Sequence, residues 1–250
     1  MRWFAILQFI FIAASPVVSV PSSYDTSLHF LDKRDAVCGS DFRSLVDFSS
    51  CLPNQVAFTS TPPAVTKEVL PDTESSSVPP DSQCDHTVEL QVLDFVAKAA
   101  KLCDVLTAMA NVGHSKQTLL QPASETISGL QNLNFLDKTV NNNKRVVVQR
   151  ALKGNKQTSQ PKDLAVGNYL ALVKADSQKV ASSLDANIAT IITTAQTVLK
   201  GLPDGTTSKT GRKDKAAANK AALSSALEEY DKTKTVTAAW NNILAEAPHS

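Results

Sequence analysis

One long amphipathic pattern, between Pro161 and Gly201, constrains the fold more than any other feature of the chain. Apolar residues recur there at spacings of three and four, which is the period of one face of an α-helix. They are Val166, Leu170, Val173, Val180, Leu184, Ile188, Ile191, Ala195 and Val198. Asp163 is a suitable N-cap, and Gly201 followed by Pro203 ends the pattern. The pattern predicts a helix of about 38 residues, roughly 57 Å long.

Four further segments have the helical period, and they predict helices from Val88 to about Ala110, from near Pro122, over 140–153 and over 214–244. The turn residues Pro203-Asp204-Gly205 indicate that the long helix and the last one form an antiparallel hairpin. We therefore expect an all-α fold, an up-and-down bundle of about five helices. Its core should contain Val96, Leu106, Leu170, Val173, Leu184, Ile188, Ile191, Leu223, Leu227 and Trp240.

The segment 58–83 differs in composition from the rest, because Ser, Thr and Pro dominate it. Such a segment has few side chains that can form a core, so we expect a flexible linker. An O-glycosylated spacer and a plain linker both remain open. The linker divides the mature chain into a Cys-containing segment, 35–57, and the helical domain, 84–247.

Cysteine placement indicates disulfides. Cys38, Cys51, Cys84 and Cys103 are an even number of cysteines in a chain that we expect to be exported, which predicts two disulfides. Three pairings are possible, although a straight helix would hold Cys84 and Cys103 roughly 25 Å apart. This distance favours disulfides from the N-terminal cysteines to the helical body. The run Cys84-Asp85-His86 lacks the paired spacing of a zinc site, so no metal is predicted.

The N-terminus has the layout of a signal peptide. Met1-Arg2 precedes an apolar run of about a dozen residues, whereas a membrane span needs roughly 20, and small residues suited to cleavage follow. We expect a signal peptide over 1–19 and a pro-segment over 20–34. The pro-segment ends in Leu31-Asp32-Lys33-Arg34, which resembles the signal of kexin-type proteases in the fungal secretory pathway. The resemblance implies cleavage after Arg34; an unused basic pair is the alternative.

Charge and motifs exclude several function classes. The net charge of +1 gives no overall attraction to nucleic acid or to anionic membranes, and no later segment is long enough to span a bilayer. The chain has no Gly-x-Ser-x-Gly, no His-Glu-x-x-His and no phosphate-cradling glycine-rich loop. We therefore predict no catalytic residue and no cofactor. His114 follows Gly113, where a capping or exposed histidine is expected.

A basic segment lies between residues 138 and 162, where the chain has seven Lys or Arg and no acid. We interpret part of it as a candidate anion-binding patch for an acidic polysaccharide, a phospholipid surface or an acidic protein face. The patch consists of Lys144, Arg145, Arg150, Lys153 and Lys156. A solvated connecting region is the alternative interpretation. Lys144-Arg145 is also a second possible processing site.

These observations favour a secreted, non-enzymatic binding protein, an effector-like factor that a fungus releases toward a host or a neighbouring cell. Its partner would be a host or cell-surface protein or an anionic surface polymer. Three alternatives remain. The long helices rich in Ala, Ser and Thr resemble those of fungal cell-wall and hydrophobic-surface-binding proteins, which implies a protein that binds lipid, a hydrophobic surface or the cell wall. Cleavage at Lys144-Arg145 would give a two-chain toxin. A helical enzyme would have two or more of Arg145, Arg150, Lys153, Glu125 and His114 in one polar pocket.

Overall fold

A computed structural model describes residues 36–204 and 215–249 of the 250-residue chain. Its strands are β1 (Ala36–Val37), β2 (Ser40–Asp41), β3 (Val56–Thr61), β4 (Ala64–Val69), β5 (Ser82–His86) and β6 (Leu133–Asp137). Its α-helices are α1 (Leu90–Ala99), α2 (Leu102–Asn111), α3 (Lys116–Ile127), α4 (Lys138–Leu152), α5 (Pro161–Gly201), α6 (Lys215–Glu229) and α7 (Val236–Glu246). Short 3-10 helices span Arg43–Leu45, Phe48–Asn54, Ser75–Ser77 and Leu130–Asn132.

The described chain contains a mixed four-stranded sheet with the strand order β4-β3-β6-β5. Strands β3 and β4 are an antiparallel hairpin, β3 and β6 are parallel, and β5 and β6 are antiparallel. A second, two-stranded sheet joins β1 and β2. The prediction of an all-α bundle is therefore wrong, and the fold is α+β.

The segment 58–83 is folded and is not a flexible linker, so that prediction is also wrong. It supplies most of β3, all of β4 and the start of β5. Its high content of Ser, Thr and Pro indicated a linker, but the structure has a strand, Val56–Thr61, in which Ala57 and Phe58 are buried. Phe58 packs against Tyr169 of α5 with ring centroids 5.0 Å apart in an edge-to-face arrangement. This contact attaches the hairpin to the helices.

The sheet is covered on both faces, because successive side chains of a strand point to opposite faces. Ala57, Leu133 and Phe135 belong to a small core with Cys51 of the 3-10 helix Phe48–Asn54. Phe58 and Leu136, on the opposite face, belong to the main core that the helices form. The 3-10 helix therefore covers one face of the sheet and the α-helices cover the other.

Helix α5 confirms the long helix predicted from the sequence, and it has 41 residues. Pro161 occupies its first turn after the N-cap Gln160, while Asp163 lies inside the helix and is buried. Helix α5 contacts α3, α4, α6 and α7. The last predicted helix is two helices, α6 and α7, because the chain leaves the helix after Glu229 and Thr235 caps a new one.

The predicted core residues are buried, apart from Leu227, which is partly buried. The two predicted disulfides are confirmed and join Cys38 to Cys103 and Cys51 to Cys84. Both bonds connect an N-terminal segment to a later element, α2 in one case and β5 in the other. Across 36–204 and 215–249, no helix combines the length and the apolar character that crossing a membrane requires.

Candidate functional site

A polar pocket of about 520 Å³ lies along β5, and we call it the β5 pocket. All five β5 residues line it. The remaining lining residues come from the segment of the two 3-10 helices, from the start of α1 and from α4: Arg43, Val46, Asp47, Phe48, Glu89, Leu90, Asn141, Asn142 and Arg145. Its volume is within the range of roughly 300–1,000 Å³ that is typical of ligand sites.

Among the residues that the structure describes, only β6 pairs with β5, so β5 is an edge strand. The Thr87 N–H donates to the Asn132 carbonyl at 2.7 Å, and the Lys138 N–H donates to the Asp81 carbonyl at 2.8 Å. These two pairs continue the β5–β6 register, in which hydrogen-bonded pairs alternate with non-bonded pairs. Ser82, Cys84 and His86 are therefore at the non-bonded positions. Their backbone groups point away from β6, toward the open edge.

Lys144 of α4 closes one end of this edge. Its ammonium is fully buried and donates to the His86 carbonyl at 2.6 Å. It also forms ion pairs with Asp85 and, at 3.2 Å, with Glu89. The Tyr169 ring lies 5.6 Å from the ammonium, as measured to the ring centroid. One buried cation therefore holds β5, the start of α1 and α4 together.

The pKa values of this cluster follow from burial and from the two carboxylates that share one ammonium. Burial alone would lower the pKa of Lys144, but Asp85 and Glu89 outweigh it and raise that pKa. Burial raises the pKa of Asp85 to about 7, against the opposing effect of Lys144. The negative charge of Glu89 raises the pKa of Asp85 further, because it favours the protonated, neutral form of that carboxyl group. Lys144 is therefore charged throughout the physiological range.

His86 also lines the β5 pocket, and its Nε2 atom is buried without a hydrogen-bond partner in the described structure. Burial lowers the pKa of His86 to about 3, and the positive charges of Lys144 and Arg43 lower it further. The imidazole is therefore neutral near pH 7. It can donate or accept one hydrogen bond in the pocket, but it is not an acid there.

The opposite wall of the pocket is held by local contacts of the 3-10 helix Phe48–Asn54. Asp47 caps this helix by accepting a hydrogen bond from the Ser50 N–H at 3.0 Å. The Phe48 ring packs on Phe135 with centroids 4.8 Å apart. The disulfide between Cys51 and Cys84 joins the helix to the middle of β5. The wall is thus tied to the sheet that it faces.

The structure separates the members of the predicted anion-binding patch. Lys144 is buried and paired with carboxylates, so its assignment to a surface patch is wrong. Arg145 lines the β5 pocket, whereas Arg150 pairs with the buried Asp163 at 2.9 Å. Lys153 and Lys156 are exposed near the end of α4 and in the loop that follows. The predicted processing site, Lys33 and Arg34, lies outside the described residues.

Sequence reasoning missed Asp85 and Glu89, the counter-charges of Lys144. The four-residue spacing from Asp85 to Glu89 is itself ordinary, and Lys144 is more than fifty positions away. The sequence around Lys144 has no Asp or Glu, and this was the available signal. A lysine on the buried face of α4 needs a carboxylate, which must then come from another element. Within the described ranges, no three or more His, Cys, Asp and Glu side chains are grouped to hold a metal ion.

The residues named for an enzyme do not share one pocket among those described. Arg145 lines the β5 pocket, and Glu125 lines a separate pocket of about 630 Å³ beside the β1–β2 hairpin. Comparison of the chain with family models, with curated proteins and with solved structures finds no match.

Proposed function

We propose that the protein is an exported, non-enzymatic binding protein, an effector-like factor that a fungus releases toward a host or a neighbouring cell. It binds its partner through the β5 pocket. The signal-peptide layout and the Leu31-Asp32-Lys33-Arg34 run support export. The two disulfides are consistent with an oxidising compartment.

The β5 pocket is the observation that carries the proposal. Its floor is an edge strand fixed by β6, its two walls are fixed by a disulfide and by a buried ion cluster, and its lining is mostly polar. A site whose parts are held in place before binding loses little conformational entropy when a ligand enters. Rigid walls and mixed polar groups are what selective recognition needs.

The alternatives receive less support from the described residues. Cleavage at Lys144-Arg145 would require α4 to unfold, because Lys144 is buried within that helix. A lipid ligand needs an apolar cavity, whereas the β5 pocket is lined mainly by polar groups. An enzyme receives little support from His86 and Asp85, because an imidazole whose pKa is lowered to about 3 is a weak base and Lys144 pairs with the carboxylate.

The test uses mature, disulfide-intact protein from culture medium, immobilised and exposed to host-tissue and fungal-wall extracts. Asn142 is exposed on α4 and lines the β5 pocket, so Asn142→Trp fills the pocket without entering the core. Asn242→Trp, at an exposed position of α7, is the matched control. We expect one component to be retained by the native protein and by the control variant, and lost with Asn142→Trp.

Circular dichroism and the melting temperature of both variants establish that they fold. Retention of nothing above a cysteine-matched control protein would contradict a binding function. Retention that Asn142→Trp leaves unchanged would contradict the assignment of binding to the β5 pocket.

A further inference from the structure

The open edge of β5 suggests the chemical class of the ligand, an inference that rests on the proposed function and deepens it. We propose that an extended polypeptide segment of another protein binds in the β5 pocket and adds a strand to β5. Peptide binding by strand addition derives its affinity from backbone hydrogen bonds and its selectivity from the side-chain pockets alongside.

The backbone groups needed for this pairing are present. Cys84 points both its N–H and its carbonyl at the open edge, and neither has a hydrogen-bond partner among the described residues. The Ser82 carbonyl points the same way, whereas the Ser82 N–H is used in a turn with Pro79 at 3.3 Å. At the other end, Lys144 occupies the His86 carbonyl. Among the described residues, the carbonyls of Ser82 and Cys84 and the N–H of Cys84 are therefore available to pair with another strand.

This pattern fits another strand better than it fits a compact small molecule. The five β5 residues extend over about 17 Å, at roughly 3.4 Å per residue in an antiparallel pair. All five line the pocket, so the pocket follows the strand along its length. An extended peptide repeats its donors and acceptors at the same interval. The pocket walls carry both charge signs: Arg43 and Arg145 are positive, and the negative groups are Asp47, which caps the 3-10 helix, and Glu89, which pairs with Lys144.

A second folded copy of the protein fits the β5 pocket less well than a single extended chain does. The β5 edge lies between the wall at Asp47 and Phe48 and the wall at Asn142 and Arg145. Paired strands lie about 4.8 Å apart. Two copies would each bring a β5 edge that is flanked by such walls, so pairing the two edges would require both sets of walls to fit beside each other at that distance. A single extended chain, without walls of its own, can enter.

The experiment selects linear dodecapeptides from a displayed random library against the mature, disulfide-intact protein. Each recovered peptide is synthesised and titrated against the native protein and against the Asn142→Trp and Asn242→Trp variants. A set of versions with one backbone N-methyl group each is then titrated, because N-methylation removes one hydrogen-bond donor. Amide hydrogen exchange of the protein is measured with and without the peptide.

We expect two peptide positions, two residues apart, at which N-methylation weakens binding about tenfold, with smaller effects at the position between them. Exchange of the Cys84 amide should slow about tenfold or more on binding. The Gln83 and Asp85 amides already bond to β6, so their exchange should not change. Asn142→Trp should abolish binding, and Asn242→Trp should not.

Three results would overturn strand addition: no recovered peptide that depends on Asn142, N-methyl effects without the two-residue spacing, or an unchanged Cys84 amide in the complex. If the extract experiment still recovers a partner that Asn142→Trp excludes, the proposed function stands and only the ligand class is wrong. If that experiment also recovers nothing, both proposals fail.

Discussion

Replacing Lys144 by Met tests the structural basis of the β5 pocket most sharply. The substitution keeps an unbranched side chain of similar length and removes the ammonium that contacts Asp85, Glu89 and the His86 carbonyl. Two carboxylates then remain in a buried position without a cation. Because the lost cation holds β5 to α4 and α1, the pocket should loosen together with the fold.

The magnitude follows from the geometry. At the 3.2 Å separation of Lys144 and Glu89, two unit charges attract by about 5 kcal/mol at an effective dielectric constant of about 20. Desolvation of the ammonium offsets part of this attraction, and removal of one partner from a buried pair typically costs about 3–5 kcal/mol. We expect a loss of that size in the free energy of unfolding, measured by urea denaturation at pH 7.5. Lys153→Met, at an exposed position of the same region, should change it by about 0.5 kcal/mol or less.

The cost of Lys144→Met should also depend on pH. The pKa of Asp85 is raised to about 7 in the folded protein, above the value of about 3.9 in an unfolded chain. Its contribution to stability is therefore complete below about pH 4 and is lost as the pH rises toward 7. Loss of the ammonium strengthens this effect, so the cost should be smaller at pH 4.5 than at pH 7.5.

His86 acts in the opposite direction, because its pKa is lowered to about 3 and its contribution falls as the pH drops below about 6.5. His86 is present in the native protein and in the Lys144→Met variant, so its contribution largely cancels when their free energies of unfolding are subtracted. A cost under about 1 kcal/mol at pH 7.5, or an equal cost at both pH values, would refute the assignment of a buried, shared ammonium.

Three further predictions concern the scaffold. Leu184→Ala should lower the free energy of unfolding by about 2–5 kcal/mol because Leu184 is fully buried, whereas Leu172→Ala, half exposed on the same helix, should change it by about 0.5 kcal/mol or less. Gly167→Ala should destabilise the fold by about 1–3 kcal/mol, since its Cβ would lie 1.6 Å from the Pro248 carbonyl oxygen, and deletion of residues 248–250 should remove most of that cost. Replacing both Cys38 and Cys103 by Ser should lower the free energy of unfolding by about 2–5 kcal/mol, measured by urea denaturation. A smaller loss would mean that fastening the β1–β2 hairpin to α2 adds little to stability.

The helices could be predicted from the sequence because their stabilising contacts follow a local period. Residues such as Leu184, Ile188 and Ile191 recur at helical spacing, and the residues that begin and end α5 are next to it in the chain. The number of disulfides followed from the cysteine count for a similarly simple reason. The pairing did not follow, since it depends on where β5 lies relative to the 3-10 helix.

The sheet was missed because its partners are distant in sequence. Strand β3 pairs with β6 across more than seventy residues, and composition alone made 58–83 resemble a linker. Phe58 was the contrary signal, as a large apolar residue in a segment otherwise rich in Ser and Thr. The site was also missed because its carboxylates are distant in sequence from Lys144. A lysine on an amphipathic helix is normally solvated, so its burial was not expected from the sequence. Its burial becomes acceptable only once Asp85 and Glu89 are placed beside it.

The central claim is that ligands enter the β5 pocket and meet the open edge of β5. The most direct measurement is an equilibrium titration of a recovered peptide into three proteins: native, Asn142→Trp and Asn242→Trp. The account predicts equal dissociation constants for the native protein and for Asn242→Trp, within about twofold, and a loss of at least about a hundredfold for Asn142→Trp. Equal binding by all three proteins, each folded by its melting temperature, would contradict the claim.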